Sequence, residues 1–287
     1  MLEVVIQYAR IIDKMLVWRK LSSEKWTDSW QERLAFLGPE RVVITQISNT
    51  RRIRLEIFDI TPDESAILQK CLGGEVRDLN YSSADWVRHF ILRKPISIRG
   101  RLHIVNLEPG SSALEPGTIY IPANLAFGTG EHFTTAGCLR LLVDIAPKSG
   151  NWTFLDAGTG TGILAIAACK LGASEVLAFD VDPKAVRIAR DNASINRVRG
   201  LRVVRADVLK HRIQEPFDVV AANLYGELFC SAAANLWQAI KPAGCIIVSG
   251  VMRDQIGPVA DVIGQMKGQI ECLRIRGKWA TLLARKG

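Results

Sequence analysis

The sequence predicts an α/β protein, with a mainly parallel sheet carrying helices on both faces and a smaller α+β domain ahead of it. Three observations carry this expectation. From Thr153 onward, strand-length apolar runs alternate with helix-length segments, the pattern of repeated β–α units. Within that stretch, Asp156-Ala-Gly-Thr-Gly-Thr-Gly162 lies between the apolar run Trp152–Leu155 and the apolar segment Ile163–Leu171, which reads as strand, glycine turn and helix. The first 95 residues lack this alternation and hold four of the seven tryptophans.

Residues 1–95 form the first predicted domain. Arg41–Ile47 and Arg52–Ile60 alternate as strands do. Thr61-Pro62-Asp63-Glu64 is a helix start, with Thr61 as N-cap, Pro62 at N1 and Glu64 completing a capping box; the helix stops at Gly73-Gly74. Trp18, Trp26, Trp30 and Trp86 read as core aromatics. The second predicted domain, 96–287, opens with a lead-in and linker over 96–122 that includes the Gly, Pro and Ser-rich loop Glu108–Gly117. The stretch Asn124–Thr135 reads as a loop with a threonine N-cap before a helix over Ala136–Ile145. Strands follow at Thr153–Asp156, Glu175–Asp180, Leu201–Arg205, Phe217–Ala222 and Cys245–Ser249. Helices fall at Ile163–Leu171, Pro183–Asn192 and Glu227–Ile240, and Ile270–Ile275 and Trp279–Ala284 close the chain as a strand pair. Lys241-Pro242-Ala243-Gly244 is a turn.

Composition narrows the class. At 287 residues and 48% apolar content the chain has ample core for one large or two modest domains. Its net charge of +8 is basic without being extreme. The densest basic stretch, Lys184–Arg212, holds nine basic residues to two acids and reads as a solvated face. Six well-separated cysteines without a C-x-x-C pair suit a reducing compartment, and the four scattered histidines suggest no metal site. Met1–Lys20 is broken by Glu3, Arg10, Asp13 and Lys14, too early for a signal peptide or a span of ~20 residues. The expected location is cytoplasmic, without membrane contact.

The glycine turn names a ligand class. A dinucleotide fingerprint, G-x-G-x-x-G, needs glycine where this chain has Ile163. Gly158, Gly160 and Gly162, with an acid two residues ahead, instead resemble the turn of S-adenosylmethionine-dependent methyltransferases. Asp156 would then orient the turn and the methionyl ammonium, or simply accept N–H bonds from the turn. Asp180, 24 residues on, would take the ribose hydroxyls, whereas Asp182-Pro183 reads as N-cap and N1. Asp207 would reach the adenine amino group or form a turn. Asn223 ends a strand and would accept hydrogen bonds from an attacking amine, aiming its lone pair, or else cap the next helix.

Leu125-Ala-Phe-Gly-Thr-Gly-Glu-His-Phe-Thr-Thr135 resembles the L-A-F-G-T-G-x-H-P-T-T signature of the PrmA family, bacterial methyltransferases of large-subunit ribosomal protein eleven. The likeness continues through Asp156–Gly162, Ile163–Ala168, Phe179–Pro183, Arg190–Ala193, Val220–Leu224 and Val248–Val251, spanning about residues 85–287. It implies a Rossmann-like class I methyltransferase domain, S-adenosyl-L-methionine as cofactor, and Thr135, Gly158, Asp180 and Asn223 on cofactor-contacting positions. It also implies transfer to a lysine or α-amino nitrogen of a protein, a ribosomal protein being the family's substrate. Phe133 stands where the family has proline, the turn reads A-G-T-G-T-G for G-C-G-S-G, and Tyr225 alters the segment after Asn223. Residues 1–84 match the family's ferredoxin-like substrate domain only loosely. Two other classes stay open: a nucleic-acid base methyltransferase and a non-catalytic cofactor-binding module. Without N-P-P-Y or an aromatic-plus-basic RNA motif, direct nucleic-acid binding is not expected.

Overall fold

A computed structural model describes residues 15–34, 37, 41–47, 50–58, 60–79, 95–105, 115–122, 130, 132–147 and 151–287. The chain divides into two compact units, Met1–Arg93 and Lys94–Gly287.

In the first unit, β1 (Met15–Ser23), β2 (Val42–Gln46), β3 (Arg52–Ile57) and β4 (Glu75–Leu79) form an antiparallel sheet in the order β2-β3-β1-β4. Helices α1 (Thr27–Leu34) and α2 (Pro62–Leu72) accompany it. Alternation on β1 and β3 turns Trp18, Ile53, Leu55 and Ile57 into one core with Trp30, Leu34 and Leu68. Helix α2 begins as its sequence dictates: Glu64 N–H donates to Thr61 Oγ1 (3.2 Å) and Thr61 N–H to Glu64 Oε2 (2.9 Å). Arg41 grips the same carboxylate at 3.0 and 2.7 Å and, with the Thr61 N–H, holds Glu64 down to about 2. The core-aromatic reading holds for Trp18 and Trp30. Trp26 departs from it, about half exposed, because it sits on a single 3-10 turn (Glu24–Trp26) at the end of β1. Trp86 lies outside the described residues.

The second unit is a seven-stranded sheet with helices on both faces. Its strands are β8 (Trp152–Ala157), β9 (Ala173–Asp180), β10 (Leu201–Arg205), β11 (Phe217–Asn223), β12 (Ile240–Met252), β13 (Gly268–Arg276) and β14 (Trp279–Lys286). The order is β10-β9-β8-β11-β12-β14-β13, parallel from β10 through β12, with β14 antiparallel to both neighbours. One face is covered by α3 (Phe133–Ile145), α4 (Ile163–Lys170) and α5 (Pro183–Ile195), whose apolar residues join Phe154, Val219 and Ile247 in one core. The other carries α6 (Gly226–Gln238) and α7 (Ile256–Gln265) against Leu155, Val220 and Ile246.

Residues 96–122 are more than a linker. Strands β5 (Ile96–Ile98), β6 (Leu102–Val105) and β7 (Thr118–Tyr120) form a separate sheet, and Ile98, Leu102, Ile104 and Ile119 enter the α3-side core. Buried Asn196 ties this sheet down by imitating a strand: it accepts from Tyr120 N–H at 2.8 Å and donates to Tyr120 O at 2.7 Å. The Lys241–Gly244 turn survives inside β12 as a break in the ladder, with Ala243 at φ 60° between the pairs Phe217–Ile240 and Val219–Cys245.

Candidate active site

Asp156, Asn223 and Ser249 bring polar side chains to the carboxyl halves of β8, β11 and β12, on the face covered by α3. Alternation along each strand dictates this, since Asp156, Asn223, Ser249 and Thr281 share parity with core residues Phe154, Ala221, Ile247 and Leu283 of that face. In open parallel sheets the carboxyl ends are where ligands bind.

Asp156 is buried at the end of β8. Its Oδ2 accepts from Thr159 Oγ1 (2.6 Å) and from Ala165 N–H (3.2 Å). The second bond explains how α4 starts without a side-chain cap: its N-cap is Gly162, and the neighbouring strand supplies the missing acceptor. Burial pushes the Asp156 carboxyl up to about 7, against the lowering effect of those two bonds. Its Oδ1 is buried with no hydrogen-bond partner.

Gly158, Gly160 and Gly162 all have positive φ, at 73°, 54° and 82°. Gly158 needs its missing Cβ for a second reason, because a methyl there would stand 2.5 Å from Leu224 Cδ2, just past the end of β11. The turn is bound to β9: Gly158 and Thr159 N–H both donate to Phe179 O (2.9 and 3.0 Å), and Gly160 N–H donates to Asp180 Oδ2 (3.0 Å). Asp180 Oδ1 accepts from Asp182 N–H at 3.0 Å, so the carboxylate is fixed from both sides. Asp182 is the N-cap of α5, accepting from Lys184 N–H at 2.8 Å with Pro183 behind it. Asp207 forms a turn, taking Leu209 N–H on Oδ1 (3.0 Å), while Lys210 Nζ stands 3.8 Å from its Oδ2.

Asn223 ends β11, and its Oδ1 is buried without a partner. It does not cap the following helix; the N-cap of α6 is Tyr225, which is exposed. Thr135 is not an N-cap either. Helix α3 begins at Phe133, three residues earlier than its composition indicates, with His132 as cap: Nδ1 accepts from Thr134 N–H at 3.4 Å and pairs with Thr134 Oγ1 at 2.7 Å. An imidazole cap is uncommon, which is why the threonines drew the assignment. Burial, with Lys278 nearby, holds His132 down to about 4. Thr135 therefore lies in the first turn, buried, with Oγ1 unpartnered. The rest of the Asn124–Thr135 loop, apart from Gly130 and His132–Thr134, lies outside the described residues.

Sequence reasoning missed part of this site. Ser249, the register partner of Asn223 on β12, shares a 2.7 Å hydroxyl contact with Thr281 and also donates to Ala280 O (3.0 Å). Gly250 (φ 77°) lets β12 pass the Leu224 carbonyl. The signal was there in Ser249-Gly250, a polar residue and a glycine ending an apolar strand.

Three unpartnered buried oxygens, Asp156 Oδ1, Thr135 Oγ1 and Asn223 Oδ1, thus lie on the face that also carries the glycine turn. A polar ligand with several donors fits such a cradle. The model of the ribosomal protein L11 methyltransferase (PrmA) family matches residues 40–287. The chain belongs to this family. A PrmA-family protein named ribosomal protein L11 methyltransferase from Geobacillus kaustophilus is 32% identical over 257 residues, 88% of this chain and 77% of that one. One from Caulobacter sp. is 34% identical over 209 residues, covering 70% and 72%. The crystal structure of a ribosomal protein L11 methylase from Lactobacillus delbrueckii subsp. bulgaricus superposes with a TM-score of 0.60 at 29% identity, over 68% of this chain and all of that one. The PrmA-family fold is a class I methyltransferase fold, and the chain is a protein methyltransferase that uses S-adenosyl-L-methionine. Among the described residues no cluster could hold a metal ion, and no helix is long and apolar enough to cross a membrane.

Proposed function

We propose that this enzyme methylates an amine nitrogen, lysine ε-amino or α-amino, of a ribosomal protein, with Asn223 holding the acceptor. The observation that carries the reading is Asn223 Oδ1, a buried acceptor at the mouth of the sheet with no partner in the protein. An unmade hydrogen bond there costs about 1–3 kcal/mol, a cost that a bound amine removes. S-adenosyl-L-methionine supplies a methyl group already activated on a sulfonium. The chain's own task is therefore positioning: Asn223 accepts an N–H from the acceptor and so aims its lone pair.

Asp180, fixed by two backbone N–H groups, takes the ribose hydroxyls with its remaining lone pairs. Gly158, Gly160 and Gly162 admit the ligand to the turn, and Asp156 and Thr135 hold its methionyl end. Asp207 is the candidate for the adenine amino group, and its side chain already serves a turn. The region 1–95 is proposed as the substrate-recognition domain and 96–287 as the catalytic domain. Relatives named for ribosomal protein L11 support a ribosomal substrate.

The test is incubation of the enzyme with methyl-labelled cofactor and whole-cell extract, split by protease or nuclease treatment. Label that protease releases and nuclease leaves supports the reading, and mass spectrometry then names the residue. Nuclease-sensitive label would make the acceptor a nucleobase, and absence of label would leave a binding module.

A further inference from the structure

We propose that the edge of the large sheet formed by α5, the turn after it, β10 and the loop to Arg212 binds the phosphate backbone of a nucleic acid, without sequence preference. The charge of the molecule is concentrated here. Residues 184–212 hold nine basic side chains and two acidic ones, while the rest of the chain holds twenty-eight against twenty-seven. Nearly all of the net charge of +8 therefore sits on one-tenth of the sequence.

All nine, Lys184, Arg187, Arg190, Arg197, Arg199, Arg202, Arg205, Lys210 and Arg212, are exposed. They are also nearly unneutralised: among the described residues their one ion pair is Lys210 with Asp207, at 3.8 Å. Arg190 and Arg205 are braced against backbone carbonyls, Val203 O (3.1 and 2.8 Å) and Val181 O (3.2 Å), which orients them without cancelling charge. A second arginine group in the same unit shows the contrast. Arg99 and Arg274 both donate to Asp144 Oδ2 (3.0 and 2.9 Å), and Arg276 lies 4.2 Å over the Phe133 ring, so those guanidinium groups serve the fold.

Two blander readings explain less. Cations on an edge strand discourage sheet-to-sheet pairing, and β10 is an edge, but Arg202 and Arg205 alone would do that. A solvated face ordinarily mixes signs, as i,i+4 pairing favours, and this one does not. The partner's chemistry follows from what the patch lacks. Residues 184–212 contain no Phe, Trp or Tyr, so the surface offers neither the aromatic anchors of a protein interface nor a platform for unstacked bases. What it offers is guanidinium forks, seven of the nine being arginine, which match phosphate oxygens in pairs. The inference is independent of which amine is methylated.

The experiment is fluorescence anisotropy of labelled 20-base-pair RNA and DNA duplexes with the full chain, from 50 to 200 mM salt. Binding should be insensitive to base sequence, with a log–log salt slope of about −4.5 for some five phosphate contacts. The triple variant R187E/R199E/R202E should weaken it at least tenfold while cofactor affinity and melting temperature stay unchanged. The control R51E/R52E, on the first unit, should bind as the parent does. Tighter binding of RNA or of DNA would assign the source. No binding at 50 mM salt, a triple variant within twofold of the parent, or displacement of the duplex by polyglutamate as readily as by unlabelled duplex would each overturn the proposal.

Discussion

The carboxyl ends of β9 and β11 present the same kind of side chain in opposite states. At the end of β9 both oxygens of Asp180 are engaged by backbone N–H groups, and Asp182 beside it is engaged as a cap. At the end of β11 Asn223 Oδ1 is buried and engaged by nothing, as is Asp156 Oδ1 on the strand between them. The end of β9 is thus held in one geometry by the fold itself, whereas the ends of β8 and β11 keep unmet hydrogen-bonding capacity for a ligand. The first is preorganisation. The second stores a penalty that only binding relieves.

The comparison can be broken most sharply at Asp180. Asp180→Ala removes the proposed ribose acceptor and unlocks the turn, and calorimetry should show cofactor affinity lower by about 100-fold, near 3 kcal/mol. An unchanged dissociation constant would remove Asp180 from the site. Next in size is Gly250, which brings β12 past the residue after Asn223. A Cβ there would meet Leu224 O at 2.5 Å at φ 77°, so Gly250→Ala should cost roughly 2–3 kcal/mol in urea unfolding. Gly100→Ala is its control: φ is 66° but nothing lies within 4 Å, and strain alone should cost about 1 kcal/mol. Equal losses would mean that the close approach at Leu224 does not matter.

Asp156 sharpens the comparison through pH. Its folded value, about 7, lies above the unfolded 3.8, so the folded state holds the proton where the unfolded state has released it. That contribution is full below pH 4 and fades as pH rises through 7. The parent should therefore lose stability relative to Asp156→Asn between pH 4 and 7 and run parallel to it above; a pH-independent difference would contradict the burial argument. The smallest effect concerns the first unit, which is assigned no step of the transfer itself. Thr61→Ala should cost about 1 kcal/mol by removing the capping box, with transfer kinetics on a saturating substrate unchanged.

The β9 side of the site was legible in the chain and the β11 side only partly so. Glycine spacing, an acid two residues ahead and an Asp-Pro cap are local patterns, so the turn and the division of labour between Asp180 and Asp182 follow from sequence alone. Whether Asn223 capped a helix depended on where α6 starts, and only three dimensions show its Oδ1 unmet. Thr135 was misplaced as a cap because His132, an unusual acceptor, takes that position. In the first unit β4 escaped notice since Glu75, Arg77 and Asp78 hide its strand character. The basic stretch was visible, but the near absence of acidic partners among the described residues was not.

The central proposal is that Asn223 positions the acceptor amine. Single-turnover methyl transfer by Asn223→Ala, measured beside its cofactor dissociation constant, tests this most directly. The account predicts transfer slower by about 100-fold or more, in the range of a lost positioning group, with cofactor affinity within about threefold of the parent. Full transfer, or a loss wholly matched by weaker cofactor binding, would contradict it.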